Sequence, residues 1–527
     1  MVAVAFTLGE YYWDDFELQN EDLEFIYNYL LELETPQSTT NLVAALVAER
    51  IRREKQSFEH KRVSGGDIFQ PKNSYTAGQS LIFPAFNWQR GEVLGTRPGK
   101  NPDLGEFQVI QVAFENGDQH QLAAHLENHR LNEPLQVAAD DPASTVSWVL
   151  ENYADVLAES LVQDLQTNPD FVQIAGNWFP RALLVDVHEG HMNLADAILD
   201  MAGGGPLPTS ALLDQIGLTA NGNPKLLEFS VDHALQEDRR FDEVGPAGEI
   251  LWYLHRLEPA EVLEPPLYLR YSGIEYDRSA LTKDMLALEK ALDDELSPIG
   301  EKYSNLNEVE VSLIYPHLRA GTLPLSARVR HLFPTAYEAP RIRFMLVDGD
   351  TGEKFPGWVV REKRYVFGLK SWYTGRGVIP GSVIRVRRGQ LPGEVIIKTD
   401  GRRSSREWIR TVLVGSDGGI VYAMLKQLVS TSFDERMAIA VPDAEAMDVI
   451  WARPYKEQSP FEQVVTNTLR ELAKLNPQSH VHASELYAAV NIVRRCPPAP
   501  ILALLASSPW FVHVGDLHYR YSSTDID

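Results

Sequence analysis

Along the chain, apolar side chains recur at two spacings. At the helical spacing of three and four they predict amphipathic helices over residues 193–201, 209–216, 224–237, 460–475, 483–493 and 498–506. The same spacing upstream predicts helices over 22–33, 39–55 and 144–166. Three helical runs lead into a short alternating stretch that opens on an aromatic, breaks at a glycine and closes on aromatics. The first runs from Phe171 through Gly176 to Trp178 and Phe179. The second runs from Phe241 through Gly245 and Gly248 to Trp252 and Tyr253, and the third from Trp510 and Phe511 through Gly515 to Tyr519 and Tyr521. Alternation and turn chemistry make each a β-hairpin, and helices followed by a hairpin, three times over, is an internal repeat. The first copy lacks adjacent front helices; 22–33 and 39–55 would supply them, with another module inserted before 144–166.

Two stretches turn to the two-residue alternation of strands. Residues 75–132 read as a small barrel, with a hairpin turn at Asn116-Gly117. From 310 to about 447 short strands follow closely, among them 341–347, 355–360, 365–369, 382–388 and 394–398, which suggests a second barrel. In 383–388 arginines partly alternate with aliphatics, placing Arg385 and Arg387 on an outward face. Residues 258–310 combine Pro259, Pro265 and Pro266 with an acidic helix near 281–295 and read as a connector. The expected division is N-terminal helices 1–65, small barrel 66–140, helix and hairpin 141–182, second repeat 183–257, linker 258–310, basic β-barrel 311–450 and third repeat 451–527.

Charge changes this picture most. The 527 residues carry 49 Lys+Arg against 73 Asp+Glu, a formal net charge of −24, which taken whole opposes polyanion binding. Between 321 and 410 the count is 18 basic to 8 acidic, or +10, so the remainder holds 31 and 65, or −34. Cys496 is the one cysteine, which excludes disulfide frameworks and Cys-based zinc or iron–sulfur sites and suits a reducing compartment. The first ten residues lack a basic n-region, and the apolar run near 500–506 is far below the ~20 residues that span a bilayer. A cytoplasmic protein without membrane partners is expected, nucleoid-associated if it binds DNA.

Two resemblances follow. Leu194 to Ile198, Gly205-Pro206-Leu207, Asp238 to Phe241, Val244-Gly245 and Trp252-Tyr253 make the second repeat similar to the winged helix of the bacterial RNA polymerase delta subunit and the HARE-HTH group. Residues 323–398 resemble the B3-type DNA-binding pseudobarrel. The carrying residues are Leu325 to Pro334 with Arg328 and Arg330, Phe344 to Gly352, Tyr365 to Trp372, and Ile379 to Val386, with Ser382 where the family has Asp. The implied fold is α+β and multi-domain: repeated winged helices, an SH3-like small barrel and a B3-like β-pseudobarrel. The B3 resemblance implies two arms in the DNA major groove, carried by Arg328 and Arg330 on one and Lys370, Trp372, Tyr373 and Arg376 on the other. Arginine suits this because its fork pairs with guanine or phosphate; Trp372 and Tyr373 would stack on a base or else anchor the loop. The basic face could equally dock onto the chain's own acidic modules. In the small barrel Tyr75, Phe83, Phe86 and Trp88 form either a ligand surface or core.

The winged helices themselves are poor candidates for reading DNA. Residues 131–180 contain no Lys or Arg and eight Asp/Glu, and the second repeat is acidic along its third helix. At least these two should bind protein or pack internally, whereas the third, with Arg494 and Arg495 before Pro497, is neutral. No P-loop, dinucleotide fingerprint, Gly-x-Ser-x-Gly or His-Glu-x-x-His occurs. Asp186, His188 and His191, and His480 with His482, are weak metal candidates outweighed by ordinary helix starts. The expectation is therefore a non-enzymatic DNA-binding protein with no cofactor and no metal, contacting double-stranded DNA through the barrel and a polymerase or defence complex through the acidic modules. The alternatives are an RNA polymerase accessory protein that does not read sequence, and the recognition component of a modification-dependent nuclease.

Overall fold

A computed structural model describes residues 3–4, 12–14, 16–63, 67–86, 89–101, 105–115, 117–132, 136–137, 144–218, 223–298, 306–391, 393–415, 418–454 and 459–522. Trp88 and Asn116 lie outside them. The chain is mixed α+β and divides into two compact units, 1–185 with 220–229 and 186–219 with 230–527. No helix among the described residues is long and apolar enough to cross a membrane.

In the first unit, helices Asn20–Leu33, Thr39–Val63 and Val146–Thr167 accompany the hairpin Phe171–Ile174 and Asn177–Pro180. A two-residue strand, Gln37–Ser38, pairs antiparallel with Asn177 and Trp178, giving the order short strand, second hairpin strand, first hairpin strand. The indole of Trp178 donates to the Thr39 hydroxyl at 3.0 Å. A five-stranded sheet is inserted between the second and third helices, and Tyr75, Phe83 and Phe114 lie in its core. Tyr75 gives its hydroxyl proton to the Gln70 carbonyl, and Phe86 packs against the same core. Phe83 is fully buried, so Tyr75 and Phe83 form core rather than a ligand surface.

The second unit repeats that sheet order twice. Leu207–Pro208 pairs with Leu251–Leu254, which pairs with Phe241–Glu243; Val481–His482 pairs with His518–Tyr521, which pairs with Phe511–Gly515. Trp252 repeats the indole bond, donating to the Thr209 hydroxyl at 3.1 Å and to Asp232 at 2.8 Å. Between these copies a seven-stranded sheet curls into a half-barrel around Ile342, Leu346, Val366, Ile384, Val386 and Ile397. The chain then forms a long two-stranded ribbon, Gly401–Val414 with Ile420–Thr431.

Candidate nucleic-acid interface

Strand alternation sends every second residue of the curled sheet outward. Glu308 faces Arg387 and Glu310 faces Arg385 across one strand pair, and Arg385 faces Lys398 across the next. The outer face is thus a lattice of alternating charge. Arg385 pairs with Glu310 at 3.0 Å and with Asp400 at 2.8 Å; Lys398 pairs with Asp350 at 3.0 Å and Lys354 with Glu394 at 2.5 Å. Arg387 is exposed, without an ion-pair partner among the described residues.

The expected second arm is a seven-residue helix, Lys370–Arg376, whose side chains point in different directions. Lys370 is exposed. Arg376 pairs with Asp348 and, at 2.9 Å, with Asp350, and the Trp372 indole donates to Asp348 at 2.6 Å. Burial alone would raise the Asp348 pKa. The backbone N–H groups of Thr351 and Asp350, the Arg376 guanidinium and the Trp372 indole outweigh it and bring the pKa down to about 2. Tyr373 points inward: it is 2% exposed and its hydroxyl donates to the Thr322 carbonyl at 2.8 Å. It anchors the helix and is not placed to stack on a base. Arg328 and Arg330 lie partly buried near a 3-10 turn, where the Arg328 N–H donates to Asp293 at 3.4 Å. Lys370 and Arg387 are therefore the exposed cations of the expected set; Arg328 and Arg330 are half-buried, with the Arg328 charge acting on Asp293, and Arg376 and Arg385 are held by acids.

The ribbon presents what the sequence reading missed. Register places Arg406 opposite Leu428, Trp408 opposite Lys426 and Arg410 opposite Met424 on one face. Arg410 is held there by Glu485 at 2.9 Å and by the Glu435 and Ala438 carbonyls, which leaves Arg406 and Lys426 as that face's exposed cations among the described residues. Trp408 is 60% and Leu428 69% exposed, and the Lys426 ammonium lies 5.3 Å from the Trp408 ring centroid. On the opposite face Ile409 and Val429 pack with Ala438 and Ala440, while Leu425 stays exposed. Towards the ribbon's turn, Val412 and Tyr422 enter the third repeat's core, and the Tyr422 hydroxyl donates to the Ala489 carbonyl at 3.1 Å. The ribbon is packed at its turn and on one side yet leaves Trp408, Leu428, Arg406 and Lys426 in water. The alternation of Arg406, Trp408 and Arg410 was the available signal.

Elsewhere, Asp242, His255 and Glu258 form the one three-ligand group among the described residues, but Arg341 already lies against both carboxylates, reaching Glu258 at 2.9 Å. That guanidinium meets the charge a metal ion would meet. His188 and His191 stack on each other at 3.6 Å, and His482 caps the helix Ala483–Val493 by accepting from the Ser484 N–H. No protein-family model, curated protein or solved structure matches the chain.

Proposed function

We propose that this is a non-enzymatic DNA-binding protein whose contact surface is the ribbon together with the outward cations of the curled sheet. The observation that carries this is the ribbon's exposed face, where Arg406, Trp408 and Lys426 stand together in a chain of net charge −24. A major groove about 12 Å wide admits a two-stranded antiparallel ribbon, and cations flanking an aromatic suit phosphate and base contact. The B3-like reading of the curled sheet is supported by its seven strands and by the helix before its Val383–Arg388 strand. The winged-helix reading is supported by the sheet order that recurs in all three repeats. In this reading the acidic repeats serve protein partners, a polymerase or a defence complex by the resemblances stated above.

The test is a salt-titrated mobility shift of the full chain on random duplex. Wild type should shift duplex at low salt, and each phosphate-contacting cation replaced should lower the salt slope by about 0.9. Arg406→Ala, Trp408→Ala and Lys426→Ala together should weaken binding by at least about tenfold. A chain that ignores duplex at about 50 mM salt overturns the reading, and so does a triple variant that binds like wild type. A second reading, that the basic island docks the chain's own acidic segments, is favoured by Arg341, which pairs with Asp242 and Glu258. Failure of the shift assay would leave that reading standing.

A further inference from the structure

Around the ribbon's turn lies a cavity of about 820 Å³, within the range of roughly 300–1,000 Å³ that small-molecule sites occupy. Its inner wall is built from buried Tyr422, Trp451, Val464 and Thr468. Trp451 and Tyr422 are fixed by bonds to the Ile492 and Ala489 carbonyls, so the wall is preformed. Arg270, Arg453, Arg470, Lys474, Arg494 and Arg495 also line it, and Glu471 is the one carboxylate among the described lining residues. Arg495 is taken by Asp294 and Glu295, and Arg270 lies 3.6 Å from Glu264. Lys474 holds Glu471 at 2.5 Å, and Arg470 lies over the Tyr521 ring at 5.4 Å.

Six cations line one cavity beside one described carboxylate, and with Arg495 matched by its own buried acids the other five favour an anion. The aromatic and aliphatic wall selects a flat, weakly polar body attached to it. We propose that this cavity binds a phosphate-bearing small molecule with a planar ring, the chemistry of a nucleoside phosphate. Arginine forks take phosphate oxygens in pairs, and Lys474 supplies a mobile point charge. The site is separate from the ribbon's exposed face. Six residue steps along the strand separate Ile420 from Lys426, about 20 Å at roughly 3.3 Å per residue.

Calorimetry on the full chain tests this, with adenosine triphosphate, adenosine, and a 5′-phosphorylated oligothymidylate as titrants. The triphosphate should bind saturably and at least about tenfold more tightly than adenosine. Arg470→Gln with Lys474→Gln should weaken triphosphate binding by about tenfold or more. Both side chains are exposed, so the fold should persist, and Arg470→Lys with Lys474→Arg should restore binding. If the oligonucleotide binds more tightly than the triphosphate and is lost in the same variant, the phosphate comes from a strand end. If neither phosphate titrant binds saturably up to about 1 mM, or if the Gln variant binds both as wild type does, the proposal is overturned.

Discussion

Arg495 has no access to water, and two carboxylates share its guanidinium: Asp294 at 2.6 Å and Glu295 at 2.7 Å. Tyr487 donates to Asp294 at 2.5 Å, and His317 lies 3.1 Å from the other Glu295 oxygen while its second ring nitrogen contacts the Thr322 hydroxyl at 2.9 Å. This cluster ties the third repeat, the connector and the edge of the curled sheet together. Removing one member leaves unpaired buried charge, which costs far more than the pair itself contributes. Arg495→Met should therefore cost about 3–5 kcal/mol and lower the melting temperature of the second unit by roughly 10 °C in calorimetry. Removing Asp294 and Glu295 as well, by apolar substitution, should recover much of that loss, since no orphan charge then remains. Glu243 gives a pH signature of the opposite kind. Burial, reinforced by Glu338 and Asp232, pushes its carboxyl up to about 7, even though the Gly245 N–H donates to it at 2.8 Å. The folded chain holds this proton above 4.5, where the unfolded chain releases it. Its contribution is therefore full below pH 4.5 and is lost as pH rises through about 7. Denaturant titrations between those values should show stability falling with pH, and Glu243→Gln should flatten that slope.

Among the elements, the hairpins were legible because an aromatic lead, a glycine and closing aromatics survive in all three copies. The two-residue strands Gln37–Ser38, Leu207–Pro208 and Val481–His482 were not, since two residues carry no period. They nonetheless set the geometry, because each is followed at once by a helix and, in two copies, by the threonine that receives the hairpin indole. Thr39→Val should orphan the Trp178 N–H and cost about 1–3 kcal/mol. Hydrogen exchange should show faster opening of 171–180, whereas Thr209→Val should be milder because Asp232 still accepts from Trp252. The connector carries no sequence sign of its chemistry. Asp294 and Glu295 look like ordinary surface acids until the fold brings Arg495, 200 residues away, against them. The expected site was legible as a region and misassigned in part. Charge counting found the island, but a sequence does not show that Asp348 and Glu310 lie beside Arg376 and Arg385, or that Tyr373 turns inward. The ribbon was overlooked because its face is divided between two strands and reads as amphipathic only once they are paired.

At the scale of the molecule, the contrast between an island at +10 and a remainder at −34 has a structural consequence inside the second unit. The hairpin 241–254 lies on the outer face of the curled sheet, where Val244 and Tyr253 pack with Trp358, Val360 and Tyr365. The Arg343 N–H donates to the Val244 carbonyl at 2.9 Å, and its guanidinium lies 5.5 Å from the Tyr253 ring centroid. Arg341 adds the ionic part, against Asp242 and Glu258. Apolar burial supplies most of this attachment, and the ion pairs fix its register. Two of the island's cations are thereby withdrawn from any external anion. If DNA uses this side of the sheet, the acidic hairpin competes with it, and full-length affinity understates what the sheet can do. Asp242→Asn with Glu258→Gln leaves Arg341 without its partners, so amides of 241–254 should exchange faster than in wild type. The same variant should bind duplex more tightly, but neutralising any two acids raises affinity for a polyanion. The control is Glu353→Gln with Glu362→Gln, two exposed acids in the turns on either side of the strand Lys354–Val360. A gain from the docking pair that exceeds the control by about threefold or more, measured at equal salt, would show that the hairpin masks a DNA-binding face. Equal gains would mean that the hairpin and DNA use different faces, with the ribbon as the contact surface.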